Sequence, residues 1–396
     1  MRPGSWKRGA RLLRAALALL AVSPCAVRAT QPPVSLPARL VGNMMLITVA
    51  WDEKGPWTFL IDTGSSVTVV TEAFAAANGA RGAEGDRRPF LRLSPGHEGE
   101  SALLRRVTIP RIRLATALFR DVPALVGDAE ALSAHMGVRV DGILGFPVFA
   151  DVLLTLDYPG SRVAVAAHDG AAERADGRDR AGTVVAFDNS RRVPLAPVRL
   201  DGEVFAALLD SGNDGALKLN PAGMRKVRLT SIPRRCNWVA TLSGNRVQKL
   251  GRLANTLELG GERFERPIVE ITGDLSSVGC EILKHFRVTF DQRNERAVFF
   301  RGDARAPVTF PPVRNCGVVF SKSRPEWRVA GLRPGSDAGK KLALGDRVTA
   351  LNGEPVAAWP LNRFLKLIEN SDAIDCTVSG AGGPRVERIA VETVVE

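Results

Sequence analysis

The sequence predicts a mainly β protein in which two pseudo-symmetric β lobes form one bilobal unit, followed by a small β/α domain. The chain has 396 residues, more than one hydrophobic core usually organises, which favours several domains. Stretches rich in Val and Leu are broken every few residues by Gly, Pro or Asp, a pattern typical of many short strands. One strand-and-turn pattern also occurs twice, in the same order, before residue 300.

The first 29 residues have the layout of an export signal. Basic residues precede an apolar run at residues 15–22, and the segment that ends at Ala29 supplies small residues for cleavage. The apolar run is too short for a membrane span, and no later stretch has the roughly 18 apolar residues that one needs. We therefore expect cleavage near Ala29, a periplasmic or secreted protein, and no integral membrane segment after signal removal.

The net charge of +12 suggests nucleic-acid binding at first sight. However, six of the basic residues lie in the signal, and their removal leaves about +6 on the mature chain. The remaining basic residues are dispersed and only one tyrosine accompanies them, so the sequence has no basic stripe with stacking aromatics. Nucleic acid is therefore not an expected partner.

Four cysteines remain after the signal: Cys236, Cys280, Cys316 and Cys376. An exported protein can form disulfides, and four cysteines allow three pairings, of which Cys236 with Cys280 and Cys316 with Cys376 would keep each bond within one predicted domain; four free thiols are an alternative. No two cysteines have C-x-x-C spacing and the histidines are scattered singly, so we expect no metal and no cofactor.

Two polar breaks divide the chain. One is the charged segment at residues 166–183, and the other is the proline-rich segment at residues 304–313. The predicted organisation is a signal peptide (1–29), an N-terminal lobe (30–165), a linker (166–183), a C-terminal lobe (184–303), a second linker (304–313) and a C-terminal domain (314–396).

The repeated pattern is an apolar strand that delivers an aspartate to a tight turn. In the first lobe, residues 57–61 run into Asp62-Thr63-Gly64-Ser65. In the second lobe, residues 204–209 run into Asp210-Ser211-Gly212-Asn213. Further along, the first lobe has Ile143-Leu144-Gly145 and the second has Ser277-Val278-Gly279. The matching order predicts that the lobes are duplicated versions of one unit.

Two such turns can form one catalytic site if they meet. Gly64 and Gly212 allow very tight loops that approach closely, and the hydroxyls of Thr63 and Ser211 can bond across to the opposite loop. Two carboxyls held this close share a proton, so that one can deprotonate water while the other protonates a carbonyl oxygen.

These motifs resemble those of the aspartic protease clan over roughly residues 35–300. The short lobes favour the retropepsin-like branch, since the only tyrosine, Tyr158, is not placed for a pepsin-type flap. The resemblance implies an aspartic-type endopeptidase that hydrolyses extended polypeptides, with Asp62 and Asp210 as a shared-proton pair that activates water. It also implies flaps that close over the cleft, for which residues 94–99 and 242–245 are the candidates.

The resemblance assigns supporting roles around the two loops. The segments at Ile143, Leu144, Gly145 and Gly279 are expected to pass behind the catalytic loops, which Thr63, Gly64, Ser65, Ser211 and Gly212 complete. The second lobe departs from the pattern in two places. Ser277 replaces an apolar residue, and Asn213 stands where the first lobe has Ser65.

Either aspartate turn alone would be an ordinary β-turn with a capping acid. Two turns, each with a matching downstream segment, favour catalysis instead. The alternative is a catalytically degenerate peptide-binding scaffold or adaptor, and a homodimer that pairs two Asp62 loops is a variant of the enzyme hypothesis. A serine hydrolase is not indicated because no Gly-x-Ser-x-Gly segment occurs.

The C-terminal domain resembles a PDZ domain at residues 329–338 and 344–356. Its pattern is a strand, a Gly-Asp turn, a second strand that reaches Asn352-Gly353, and apolar residues at helical spacing. PDZ domains add an extended peptide, often a chain terminus, to a sheet edge, which implies recruitment of a substrate or partner. The candidate carboxylate-binding loop is Asn315, Cys316, Gly317 and Val318.

Overall fold

A computed structural model describes residues 33–82, 104–168, 182–241, 244–302, 308–322, 326–380 and 383–396. Within these ranges the chain forms thirty strands and six short α-helices, which confirms the predicted mainly β class. In the part of the chain described, no helix is both long and apolar enough to cross a membrane. The predicted signal peptide, the flap candidate at 94–99 and parts of both predicted linkers lie outside these residues.

The first half, residues 33–168, is arranged around a central parallel pair of strands. Strand β3 runs parallel to β8, and β4 lies antiparallel on the other side of β8. The elements are β1 (Val34–Val41), β2 (Met44–Trp51), β3 (Lys54–Asp62), β4 (Thr68–Val70), α1 (Glu72–Ala77), β5 (Arg81–Gly82), β6 (Arg105–Leu114), β7 (Ala117–Val126), α2 (Glu130–Met136), β8 (Gly142–Gly145), a 3-10 helix (Phe146–Phe149), β9 (Leu153–Asp157) and β10 (Arg162–Ala166).

The second half, residues 182–302, repeats this arrangement. Strand β13 runs parallel to β20, and β14 lies antiparallel on the other side of β20. The elements are β11 (Thr183–Ala186), β12 (Leu195–Leu200), β13 (Glu203–Leu209), β14 (Leu217–Leu219), α3 (Pro221–Met224), β15 (Arg234–Thr241), β16 (Gly244–Arg252), β17 (Thr256–Leu259), β18 (Glu262–Glu265), β19 (Ile268–Ile271), β20 (Ser277–Val278), α4 (Cys280–Leu283), β21 (Arg287–Asp291) and β22 (Arg296–Phe300).

The two halves share a sheet. Strand β9 of the first half pairs antiparallel with β21 of the second, with Leu153 opposite Asp291 and Asp157 opposite Arg287. This ladder belongs to the strand order β11-β22-β21-β9-β10-β1 within a 13-stranded sheet. Backbone hydrogen bonds therefore fix the position of one half relative to the other.

The C-terminal segment, residues 308–396, has a sheet of its own and a helix that packs beside it. Three apolar residues at helical spacing, Leu361, Phe364 and Ile368, are buried along this helix, as the sequence pattern predicts. The elements are β23 (Val313–Asn315), β24 (Val318–Ser321), β25 (Trp327–Leu332), α5 (Asp337–Lys341), β26 (Arg347–Leu351), β27 (Glu354–Pro355), a 3-10 helix (Val356–Ala358), α6 (Leu361–Asn370), β28 (Ala373–Gly380), β29 (Gly383–Ala390) and β30 (Glu392–Val395).

The C-terminal segment is anchored to the second half by a buried arginine. Arg252, 5% exposed, donates hydrogen bonds to the carbonyl oxygens of Arg266 at 3.0 Å and Pro311 at 2.9 Å, and to that of Glu396. Three guanidinium nitrogens thereby satisfy backbone carbonyls from separate parts of the chain, which a lysine could not do in the same geometry.

All four cysteines that follow the predicted signal are buried free thiols. The pairing of Cys236 with Cys280 is therefore not formed, and neither is that of Cys316 with Cys376. The fold explains the first case, because Cys236 packs against Val394 and Val395, whereas Cys280 lies behind the second aspartate loop. Of the alternatives that the sequence leaves open, the structure has the four free thiols.

Candidate active site

Asp62 stands at the end of a strand that is buried on both faces. Phe59, Leu60 and Ile61 are each at most 3% exposed. The parallel pairing of β3 with β8 places Asp62 opposite Gly145. A continuous apolar strand of this kind suits a position covered on both sides, and it holds the aspartate at a fixed point.

Asp210 stands in the same position in the second half. Strand β13 ends at Leu209, which lies opposite Val278 in the parallel pair with β20. The Asp210 amide donates to the carbonyl of Val278 at 2.9 Å. The two aspartates therefore end equivalent strands in the two halves.

The structure brings the two loops together through four crossed hydrogen bonds. Thr63 Oγ1 donates to the carbonyl of Leu209 at 2.5 Å and accepts from the amide of Ser211 at 3.0 Å. Ser211 Oγ donates to the carbonyl of Ile61 at 2.8 Å and accepts from the amide of Thr63 at 2.9 Å. Both hydroxyls are fully buried, so each one satisfies a donor and an acceptor of the opposite loop.

The two glycines lie against the opposite carboxyl groups. A Cβ atom placed on Gly64 would lie 2.5 Å from Cγ of Asp210, and one placed on Gly212 would lie 2.5 Å from both carboxyl oxygens of Asp62. Each glycine also donates its amide to the aspartate of its own loop, at 2.9 Å for Gly64 and 3.0 Å for Gly212. The absent side chains are therefore a condition for the close approach of the loops.

Burial raises the pKa of both aspartates. The pKa of Asp62 is raised to about 7, first by burial and then by the negative charge of Asp210. Burial also raises the pKa of Asp210, against the opposing effects of the positive charge of Lys218 and the amide of Gly212. Both residues remain partly accessible to solvent. Two enclosed carboxyls this close together do not both ionise readily.

The predicted support for the first loop lies directly behind it. Ile143 and Leu144 are buried in β8, beside Leu60 and Ile61 of β3. A Cβ atom on Gly145 would lie 2.6 Å from the carbonyl carbon of Val67, so only glycine fits there. The carbonyl of Ser65 accepts from the Phe146 amide at 2.9 Å, and its hydroxyl donates to the carbonyl of Val67 at 2.7 Å.

The two departures in the second half contact each other. Asn213 Nδ2 donates to Ser277 Oγ at 3.1 Å, and both side chains are buried. A Cβ atom on Gly279 would lie 2.5 Å from Asn213 Nδ2, so the carboxamide fills the space that this glycine leaves. The polar residue at 277 therefore provides an acceptor for the larger side chain at 213.

A second buried polar pair, not predicted from the sequence, lies behind the loops. The Tyr158 hydroxyl and Cys280 Sγ lie 3.3 Å apart, and Cys280 Sγ donates to the carbonyl of Ser211 at 3.2 Å. The sequence offered one indication of this pair: Tyr158 directly follows Asp157, and Cys280 directly follows Gly279. Burial raises the pKa of both groups well above their usual ranges, so both are neutral.

The second flap candidate, residues 242–245, falls at one end of a hairpin. Strands β15 and β16 pair antiparallel up to Thr241 and Gly244, while residues 242 and 243 lie outside the described residues. The first candidate, residues 94–99, falls wholly outside them. The described residues contain no cluster of three or more His, Cys, Asp or Glu side chains that could hold a metal ion.

The candidate carboxylate-binding loop forms a closed turn. Asn315 Oδ1 accepts from the amide of Gly317 at 2.5 Å, and the carbonyl of Gly317 accepts from Arg333 at 2.8 Å. Cys316 is buried, and Val318 begins the edge strand β24. The structure thus places these four residues beside a sheet edge, with the Gly317 amide already bonded.

Residues 47–148 match the family model described as aspartyl protease. No curated protein matches the chain. Among solved structures, basic 7S globulin from soybean is similar at 10% identity and a TM-score of 0.41, covering 68% of this chain and 95% of its own. A retropepsin-like aspartic protease from Rickettsia conorii has 15% identity and a TM-score of 0.24, covering 30% of this chain and 89% of its own. EIAV protease, solved with the inhibitor HBY-793, has 16% identity and a TM-score of 0.20, covering 23% and 85%.

Proposed function

We propose that the protein is an aspartic-type endopeptidase that hydrolyses extended polypeptides with Asp62 and Asp210 as its catalytic residues. The observation that carries the proposal is the meeting of the two loops, in which four crossed hydrogen bonds hold two carboxyls with raised pKa values side by side. The aspartyl protease match over residues 47–148 supports the same activity for the first half.

The chemistry needs one carboxylate and one carboxylic acid at the same time. The carboxylate accepts a proton from a water molecule as the water oxygen attacks the peptide carbonyl carbon. The carboxylic acid donates its proton to the carbonyl oxygen of the peptide. The C–N bond then breaks as the nitrogen takes up a proton from one aspartate, while the other aspartate recovers a proton from a hydroxyl group of the tetrahedral intermediate. The products are a carboxylic acid and an amine, and the pair again holds one proton. No covalent intermediate forms, and the amides of Gly64 and Gly212 hold the carboxyls in place throughout.

The pH dependence of cleavage tests this proposal. We expect new internal chain ends when an unfolded polypeptide is incubated with the protein from about pH 3 to 8 and the products are analysed by mass spectrometry. Because the pKa of Asp62 is about 7, activity should decline as the pH rises through that value and the shared proton is lost. Tight peptide binding without cleavage across this range would instead favour the scaffold alternative.

The proposal also gives the C-terminal segment a role in peptide recruitment as a PDZ-like domain. Among the described residues, strand β24 pairs with β25 and with no second strand, so its other edge is a candidate for the addition of a peptide. A peptide with a free C-terminal carboxylate should bind about tenfold or more tightly than the same peptide with a C-terminal amide, as measured by fluorescence anisotropy. Equal binding of the two peptides would argue against carboxylate recognition.

We place this activity in the periplasm or outside the cell. The support is the basic and apolar pattern of residues 1–29, with a cleavage point after Ala29. N-terminal sequencing of the mature chain should therefore begin at Thr30.

A further inference from the structure

A two-residue turn of the first half reaches the catalytic loop of the second. Gly42 and Asn43 connect β1 to β2, with Val41 paired opposite Met44. Asn43 Nδ2 donates to the carbonyl of Asp214 at 2.9 Å and to Glu281 Oε2 at 2.6 Å. We call Gly42 and Asn43 the brace turn.

The two acceptors of Asn43 belong to different elements that flank Asp210. Asp214 lies in the loop that begins at Asp210, and Glu281 lies in α4. Backbone bonds already join these elements, from Glu281 to the carbonyl of Gly215 at 3.1 Å and from Cys280 to the carbonyl of Asn213 at 2.7 Å. Since the Asn43 carboxamide donates to both elements, it fixes the loop against the helix. Its bond to Glu281 is the stronger of the two, because the acceptor is a charged carboxylate.

The C-terminal segment holds the brace turn from its other side. Asn362 Oδ1 accepts from the amide of Gly42 at 2.6 Å, and Asn362 Nδ2 donates to the carbonyl of Leu40 at 2.9 Å. Asn362 itself lies in the first turn of α6, whose position is fixed by the burial of Leu361 and Phe364. A side chain that bonds the backbone both before a turn and within it restrains the position of that turn.

A similar contact runs in the opposite direction. Gln292 of the second half is buried, and its Nε2 donates to the carbonyl of Phe146 at 2.6 Å, where Phe146 in turn donates its amide to Ser65 in the first catalytic loop at 2.9 Å. Each catalytic loop is therefore bonded, directly or through one residue, to a carboxamide of the other half.

We propose that Asn43 is a positioning residue for the Asp210 loop and that Asn362 of the C-terminal segment holds the turn that carries it. The catalytic meaning of the inference rests on the proposed function, whereas the contacts do not. The C-terminal segment would then influence the position of the Asp210 loop through the brace turn, and this effect is separate from any binding of a peptide.

Amide hydrogen exchange tests the positioning without reference to activity. In Asn43→Ala and in Asn362→Ala, the amides of Gly215, Cys280 and Glu281 should exchange about tenfold faster than in the wild type, because the loop opens locally from α4. The amide of Ile112, in the β6–β7 hairpin, should be unchanged. Asn370→Ala is the matched control, since Asn370 lies on the same helix and its side chain, among the described residues, donates to the carbonyl of Lys366 within that helix.

Each other outcome would overturn part of the inference. Unchanged exchange in Asn43→Ala would show that this side chain does not position the loop. Faster exchange in Asn43→Ala together with wild-type exchange in Asn362→Ala would remove the role of the C-terminal segment. An equal increase at Ile112 would mean that the substitution destabilises the whole protein.

A partner swap separates the hydrogen bond from the shape of the side chain. Asn43→Asp removes the donor and places a second carboxylate beside that of Glu281, so fast exchange is expected. Combining it with Glu281→Gln restores one donor and acceptor in reversed roles, and exchange should slow again by several-fold. Failure of this rescue would count against a specific bond.

The activity of the same variants completes the test. If the protein cleaves polypeptides, Asn43→Ala and Asn362→Ala should lower kcat about tenfold with little change in KM, since they misplace a carboxyl without touching the substrate. If no cleavage is found for the wild type, the proposed function fails while the exchange data still decide the positioning.

Discussion

Replacing Asp62 with Asn is expected to lower the rate of peptide hydrolysis by about a thousandfold or more while leaving the fold intact. The amide can neither accept a proton from water nor share one with Asp210. Its size matches that of the carboxyl, and the Gly64 amide keeps an acceptor at the same position. Single-turnover cleavage of an unfolded polypeptide, compared with circular dichroism of the same sample, measures both effects.

The same substitution should stabilise the protein at high pH. The pKa of Asp62 rises from 3.8 to about 7 on folding, so the folded state binds a proton more tightly than the unfolded state. The wild type therefore loses stability as the pH rises through this window, and the loss is complete above about 7. The carboxamide of the Asp62→Asn variant has no such proton to lose. Its free energy of unfolding should exceed that of the wild type by about 1–3 kcal/mol at pH 8 and match it near pH 3.

Asp157→Asn is the matched control for both measurements. Asp157 also ends a strand and accepts a hydrogen bond from the following turn, from the amide of Gly160 at 2.9 Å. It should keep full activity and show no stabilisation at high pH. Full activity in Asp62→Asn would exclude the proposed mechanism.

Adding one methyl group at Gly64 is expected to disable the site by separating the loops. The new Cβ atom would lie 2.5 Å from Cγ of Asp210, well inside van der Waals contact. The loops must move apart, which strains the crossed bonds of Thr63 and Ser211. We expect Gly64→Ala to reduce cleavage about a hundredfold and the free energy of unfolding by about 2–4 kcal/mol, measured by urea denaturation.

Gly82→Ala provides the comparison for this substitution. A Cβ atom on Gly82 would meet nothing within 4 Å. This variant should match the wild type in activity and stability. Wild-type behaviour of Gly64→Ala would mean that Gly64 and the carboxyl of Asp210 lie farther apart than the structure places them.

The mainly β class could be predicted because apolar alternation is a local signal. In β6, Val107, Ile109, Ile112 and Leu114 are buried, and polar residues separate most of them. The pairing of β9 with β21 could not be predicted in the same way. Its hydrogen bonds are made by the backbone and by the hydroxyls of Thr155 and Thr289, which lie 2.9 Å apart, and the order of residues does not identify two strands so distant in sequence as partners.

The candidate site could be located from the sequence because its geometry limits the residue types. Only glycine fits at Gly64 and Gly212, and only a short hydroxyl side chain at Thr63 and Ser211 can bond across the loops. Asn213 and Ser277 could be recognised from the sequence only as two separate differences between the second half and the first, and not as residues in contact. Their hydrogen bond depends on the distance between two side chains, which cannot be read from the order of residues.

The state of the cysteines could not be predicted from the sequence either. An oxidising compartment makes disulfides possible, yet the fold decides which thiols can meet. Cys236 packs with the last strand of the chain and Cys280 with the second catalytic loop, so their shared position in one lobe did not bring them together.

Both aspartate loops belong to one polypeptide, whose two halves are joined by the ladder between β9 and β21, so the sequences of the loops need not be identical. In an enzyme assembled from two identical subunits, every substitution beside one carboxyl is copied beside the other. Here Ser65 and Asn213 differ, as do Leu144 and Val278. Substitutions can therefore change the surroundings of each carboxyl separately. Under the proposed function, this would allow one aspartate to be adapted as the proton donor and the other as the proton acceptor.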